Sequence, residues 1–110
     1  MKRGTAAERR AAWHYRLRGY RILAANVRSG GVELDLVCRR GSTLVVCEVK
    51  DKADGAFGDP LEMVGAEKRR RLRRAAEAWL AEHPQLADLE ASFELLAFRR
   101  GRPERLRDAF

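Results

Sequence analysis

Two cysteines, two histidines and no long apolar run remove several chemistries from this 110-residue chain before any motif is considered. Cys38 and Cys47 stand nine positions apart, with no Cys-x-x-Cys pair and no neighbouring histidine. Neither a zinc site nor a disulfide framework is indicated, and reduced thiols in a cytosolic protein are the expectation. The residues after Met1-Lys2-Arg3 are polar and charged rather than apolar, which is not the form of a signal peptide. No segment approaches the ~20 apolar residues that a membrane-spanning helix needs. Repeats, low-complexity tracts and internal linkers are also missing. The expectation is a soluble, cytoplasmic protein with no membrane partner, folded as one domain over residues 1–110.

Acids are in short supply as well. Sixteen Asp and Glu face 23 Lys and Arg, a formal charge of +7, with a pI near 10.2. Such a surplus favours a polyanionic partner, nucleic acid first and an acidic membrane surface second. The plainer alternative is a soluble protein from an Arg- and Ala-rich proteome.

What is present centres on Val32 to Lys50. Two apolar runs there are separated by Arg39-Arg40-Gly41-Ser42, which predicts strand, turn, strand. Glu33, Asp35, Glu48 and Lys50 interrupt those runs. Residues two apart in a strand share a face, so Glu33 goes with Asp35, and Glu48 with Lys50. Charges inside Val-, Leu- and Cys-rich strands are costly unless a cation or hydrogen bonds compensate them.

Elsewhere, Thr5-Ala6-Ala7-Glu8 has the form of a capping box opening a basic helix. That helix is expected to run past Trp13 and Leu17, an apolar i, i+4 pair, and to end at Gly19. Tyr20–Val27 reads as a first strand and Ser29–Gly31 as a loop. Asp51–Gly58 reads as a loop able to serve as part of a site or a lid. Asp59-Pro60-Leu61-Glu62 opens a short helix that breaks near Gly65. A longer helix from Ala66 carries an apolar stripe at Leu72, Ala75, Ala76, Trp79 and Leu80, and Pro84 stops it. Ser92–Phe98 reads as a fourth strand, Arg99–Pro103 as a turn, and Leu106–Phe110 as an edge strand or a packed tail. Trp13, Trp79 and Phe98 are expected in the core, and His14 and His83 in surface or packing roles. This order predicts an α/β fold: a mixed central sheet of four to five strands flanked by helices.

The turn at residues 39–42 folds the second of the two central strands back on the first. Asp35 and Glu48 then become neighbours on strands ~4.8 Å apart, near enough to hold one hard divalent cation. Mg²⁺ (or Mn²⁺) suits such oxygen donors. Lys50 reaches the same place and can orient a water or neutralise charge on a phosphate. Beside a basic surface, this is the composition of a phosphodiester hydrolysis site, with Glu33 a further candidate ligand. Lys68-Arg69-Arg70-Arg71-Leu72-Arg73-Arg74 holds six basic residues in seven. Lys68, Arg69, Arg70 and Arg73, with Lys52, are the candidate nucleic-acid contacts.

Asp35…Glu48-Val49-Lys50 is similar to the Asp…(Asp/Glu)-x-Lys motif of the restriction-endonuclease-like nuclease fold. Glu8, on the preceding helix, resembles an arrangement found in archaeal Holliday-junction resolvases of that fold. More narrowly, the chain resembles the YraN family of small bacterial proteins. The matching pieces are Gly4…Glu8…Ala11-Ala12, Gly19-Tyr20-Arg21-Ile22-Leu23…Asn26, Glu33-Leu34-Asp35-Leu36-Val37 and Val45-Val46-Cys47-Glu48-Val49-Lys50. Phe57-Gly58, Lys68…Leu72…Ala75-Ala76 and Phe93-Glu94-Leu95-Leu96 complete them. The resemblance implies a restriction-endonuclease-like fold and a metal-dependent nuclease acting on DNA ahead of RNA, including branched DNA. It adds Glu8 to Asp35, Glu48 and Lys50 as a site residue. Leu34 stands where such nucleases often carry proline, Val32 where the family usually has glycine, and Lys52 where it usually has arginine.

Plainer readings accompany each of these. Asp35, Glu48 and Lys50 can form a cross-strand ion pair, which at a surface contributes only ~0–1 kcal/mol and occurs freely. The capping box already accounts for Glu8, and the basic run can be a solvated helix face. At the level of function, a non-catalytic nucleic-acid-binding module and a basic helix docking an acidic protein compete with the nuclease. A homodimer fits an enzyme that cuts two strands symmetrically.

Overall fold

A computed structural model describes residues 5–52 and 65–110. The first helix, α1 (Ala6–Arg16), starts at a complete capping box. Thr5 Oγ1 accepts from Glu8 N at 3.1 Å, and Glu8 Oε1 accepts from Thr5 N at 2.8 Å. It ends where Gly19, at φ +87°, lets Gly19 N and Tyr20 N return to the carbonyls of Arg16 and Tyr15. A left-handed residue at that point is what this helix stop requires.

Strands β1 (Arg21–Ser29), β2 (Val32–Arg40) and β3 (Thr43–Lys52) follow as an antiparallel meander. Gly30 and Gly31, at φ +56° and +81°, form the first turn. Two-residue hairpins of this kind need positive φ at both positions, which glycine meets without strain. Helix α2 (Ala66–Ala81) then crosses over to β4 (Glu90–Arg99), which lies parallel to β3, and β5 (Arg102–Leu106) closes the far edge. The sheet order is β1-β2-β3-β4-β5. This is the mixed α/β sheet that the sequence pattern predicts, with one helix on each face among the described residues.

Each helix covers its own core. Leu72, Ala75, Ala76 and Trp79 of α2 pack on Leu34, Val37, Leu44, Val46 and Leu95. Ala7, Ala11 and Tyr15 of α1 pack on Leu36, Cys38, Val45, Cys47, Leu96 and Phe98. Phe110 joins the α2 core, its ring 5.2 Å from that of Phe93. The α1 side also carries a buried polar network. Arg105 Nε and Nη2 donate to both oxygens of Glu94 at 2.6 and 3.1 Å, Tyr15 Oη donates at 2.7 Å, and Ser92 Oγ at 3.0 Å. Burial opposes the Glu94 charge, but these donors outweigh it and hold its carboxyl below the usual range. Fully paired, a buried carboxylate of this kind is tolerated.

Several expectations are corrected. Trp13 is not a core residue: it is 59% exposed, and Leu17, its i, i+4 partner, is 77% exposed. The helix packs instead through alanines, which let it approach the sheet closely, and through Tyr15. Arg99–Pro103 is not all turn, because Arg102 already pairs with Arg99. Residue 51 belongs to β3 rather than to a loop. The rest of the expected loop, the short helix opening at Asp59 and the side chain of Lys52 lie outside the described residues.

Candidate functional site

The ladder between β2 and β3 is paired as far as Leu36–Cys47, whereas β3 stays paired with β4 as far as Lys52–Arg99. Where β2 parts from β3, the Asp35 carboxylate enters: Val49 N donates to Asp35 Oδ2 at 2.9 Å. Leu34 and Leu36, two apart, would share a face in a regular strand. Here they lie in opposite cores, so the strand is irregular around Asp35. On β1 the facing residue is Asn26, at φ +53°, between the Ala25–Leu36 and Val27–Leu34 pairs.

This irregularity gathers acids from three elements. Carboxylate oxygens of Glu8 from α1 and of Glu33 and Asp35 from β2 lie within 4.8 Å of one another. With its amide nitrogen turned toward them, Asn26 donates to Glu8 Oε1 and Oε2 at 3.0 and 3.2 Å and to Glu33 Oε1 at 3.3 Å. Glu8 therefore caps its own helix and also faces the acidic cluster.

Glu48 approaches from the α2 side of the sheet and is not one of those three. It is buried, and Oε1 lies 3.3 Å from Lys50 Nζ and 3.1 Å from Lys68 Nζ. Its charge still acts on Asp35. Asp35 thus joins an acidic group on the α1 side to an acid and two amines on the α2 side. Burial first and the Glu48 charge second push the Asp35 carboxyl up to about 7, against the pull of Val49 N–H. Burial, then the neighbouring Lys68, lower the pKa of Lys50. Burial opposes the Lys68 charge, yet Lys50 and Glu48 together raise its pKa.

Structure distributes the basic run differently from a single phosphate face. Lys68 turns to Glu48. Arg70 and Arg71 pair with Glu67 at 3.1 and 3.3 Å. Arg73 donates to the Phe110 carbonyl at 2.6 Å and lies over the Phe93 ring. Arg69 is exposed, and Arg74 lies with Arg71 beside the Gly30–Gly31 turn. Sequence reasoning missed Asn26 and the role of Lys68 toward Glu48. Neither has a local signal, since both depend on elements meeting across the fold.

Donors supplied by Glu8, Glu33 and Asp35 are all carboxylate oxygens. That set suits a hard divalent ion such as Mg²⁺ or Mn²⁺ rather than zinc.

Residues 7–98 match the uncharacterised protein family UPF0102. The chain belongs to this family. A UPF0102 protein from Acidothermus cellulolyticus is 51% identical over 80 residues, covering 73% of this chain and 61% of that relative. One from Azorhizobium caulinodans is 44% identical over 109 residues, covering 98% of this chain and 82% of its own length. Another from Xanthomonas campestris is 41% identical over 113 residues, covering 100% and 92%. The resemblance to the YraN family drawn from Glu33–Val37 and Val45–Lys50 is thereby met, since this is the same family under its other name. Among the described residues, no helix is long and apolar enough to cross a membrane.

Proposed function

We propose that this UPF0102 chain is a metal-dependent nuclease that hydrolyses phosphodiester bonds in DNA, including branched or otherwise structured DNA. The observation carrying this reading is the position of Asp35. Its carboxylate is crowded by Glu8, Glu33 and Glu48 at a break in the sheet, with the Lys50 amine on the far side of Glu48. Like charges gathered this closely destabilise a fold unless a cation joins them. Glu8, Glu33 and Asp35 would hold Mg²⁺ or Mn²⁺, which when bound supplies positive charge for a phosphate and acidifies water. Lys50, on the α2 side of Asp35, would orient a water approaching the phosphate from that side and accept its proton. Glu48 holds both lysines at that position. Water oxygen adds to phosphorus, one phosphorus–oxygen bond to a deoxyribose breaks, and the departing oxygen takes up a proton. Arg69, with the rest of the basic α2 surface, attracts the polyanion.

A second reading has one observation in its favour. Lys50 and Lys68 already neutralise Glu48, as in a structural ion pair. A non-catalytic nucleic-acid-binding module would keep that arrangement. The two are separated by incubating labelled duplex, single-stranded and four-way-junction DNA with Mg²⁺ or Mn²⁺. The nuclease reading requires cleavage that disappears in Asp35→Ala and Lys50→Ala. Equal cleavage by those variants removes the site, and salt-dependent binding without cleavage leaves the module.

A further inference from the structure

Helix α1 uses two neighbouring stripes for different purposes. Ala7, Ala11 and Tyr15 are buried against the sheet. The adjoining stripe, with Glu8, Arg9, Trp13 and Arg16, lines a pocket of about 260 Å³ whose opposite side includes Asn26 and Asp35. The pocket thus opens directly onto the carboxylate cluster. Trp13 is 59% exposed in it, with the Arg16 guanidinium 5.6 Å from the ring centroid. A large apolar ring left open to water beside cations is the combination that stacks bases and tracks a nucleic-acid backbone.

Spacing fits the same occupant. Trp13 follows Glu8 by five residues, about 7.5 Å along a helix axis at ~1.5 Å per residue. That exceeds the ~3.4 Å axial rise of a stacked duplex strand and suits one nucleotide of an extended, unstacked strand. A second copy of the chain is the other candidate for this surface, because Leu17 is exposed one turn further on. A two-fold contact there would set Arg9, Arg10 and Arg16 against their own copies, and like charges facing each other disfavour such an interface.

We propose that Trp13 is a stacking platform for an unpaired nucleobase adjacent to the phosphate at the carboxylate cluster. The protein then selects strands whose bases are free of a duplex: single-stranded tails, gaps or branch points. This rests on the nuclease reading for the location of the phosphate, but its test does not need catalysis.

With Ca²⁺ supplied as the hard divalent ion at the carboxylates and at low salt, a short oligothymidine and a blunt-ended duplex of the same length are titrated while tryptophan emission is followed. Trp79 is buried and stacked on His83, so Trp13 is the exposed reporter. The oligothymidine is expected to quench emission strongly and the duplex weakly. Trp13→Ala, on an exposed helix face, should weaken oligothymidine binding by about 5- to 150-fold, the range of base–aromatic stacking. It should leave duplex affinity unchanged, and Trp13→Phe should retain most of the single-strand affinity. Equal losses for both probes, no loss for either, or a dimer in sedimentation that Trp13→Ala dissolves would overturn the proposal. Cleavage with Mn²⁺ is measured separately. Single-strand binding through Trp13 without cleavage would remove the nuclease reading alone. Cleavage whose substrate preference ignores Trp13→Ala would remove the stacking platform alone.

Discussion

Replacing Asp35 by Asn should make the metal-free protein more stable, although most substitutions of partly buried residues do the reverse. In the wild type, Asp35 lies with Glu8 and Glu33 inside a 4.8 Å group and also interacts with Glu48. Two unit charges at that separation repel by about 3 kcal/mol at an effective dielectric constant of ~20. All three members are partly solvated and two amines stand near Glu48, so the net gain on removing the charge is about 1–3 kcal/mol after screening. The amide oxygen introduced by Asp35→Asn still accepts from Val49 N–H, so the backbone contact survives. The sign with pH follows from Asp35 being held at about 7 in the fold against 3.8 for its ordinary value. Between those values the folded state binds more protons than the unfolded one, so stability falls as pH rises through that window. Below it, both states are protonated and the full contribution is present. Thermal melts in EDTA at low salt should therefore show Asp35→Asn several degrees above wild type at pH 8, since ~1 kcal/mol shifts a domain of this size by about 4–8 °C. The gap should close toward pH 4. Mn²⁺ should raise the wild-type melting point at pH 8 and leave the variant unmoved. A variant that melts lower than wild type at pH 8, by as much as it does at pH 5, would refute the crowding argument.

Four other outcomes follow. Arg105→Ala strands the Glu94 carboxylate among Tyr15 and Ser92 without its cation, and should cost about 3–5 kcal/mol in urea unfolding; a loss under 1 kcal/mol would mean that the network is solvated. The same network holds Glu94 below its ordinary range, so its share of stability should fade as pH drops through the acidic region, visible as an acid limb in wild type that Glu94→Gln lacks. Cys38 and Cys47 are buried, burial pushing Cys38 up to about 12 and Cys47 higher still. A thiol reagent at pH 8 should leave both unmodified until the protein is unfolded, and prompt labelling of the native state would contradict that burial. Lys50→Met should lower cleavage by about 10²–10⁴-fold, the contribution typical of a positioned acid–base group, with Lys68→Met milder. Equal small effects would point to a shared electrostatic role instead.

Much of the frame was legible because its signals are local. Thr5 and Glu8 are three residues apart and cap each other; Gly30-Gly31 turns a hairpin; Leu72, Ala75, Ala76 and Trp79 recur at helical spacing and are buried together. Asp35 and Glu48 came out as neighbours because one short turn fixes their register. Trp13 and Leu17 misled for a physical reason: an i, i+4 apolar pair normally marks the packed stripe, but here Ala7, Ala11 and Tyr15 form it. Glu94 with Arg105 and Tyr15, Glu48 with Lys68, and Asn26 with Glu8 are meetings of residues distant in sequence. No local pattern encodes them. The break in facing between Leu34 and Leu36 was equally hidden, since period-two alternation assumes a regular strand.

Calorimetric titration of the metal-free protein with Mn²⁺ tests the central claim most directly, with Asp35→Asn run in parallel. The account predicts a saturable site in wild type that Asp35→Asn lacks while its fold is retained. Absence of saturable heat in the folded wild type, or undiminished binding by Asp35→Asn, would contradict it.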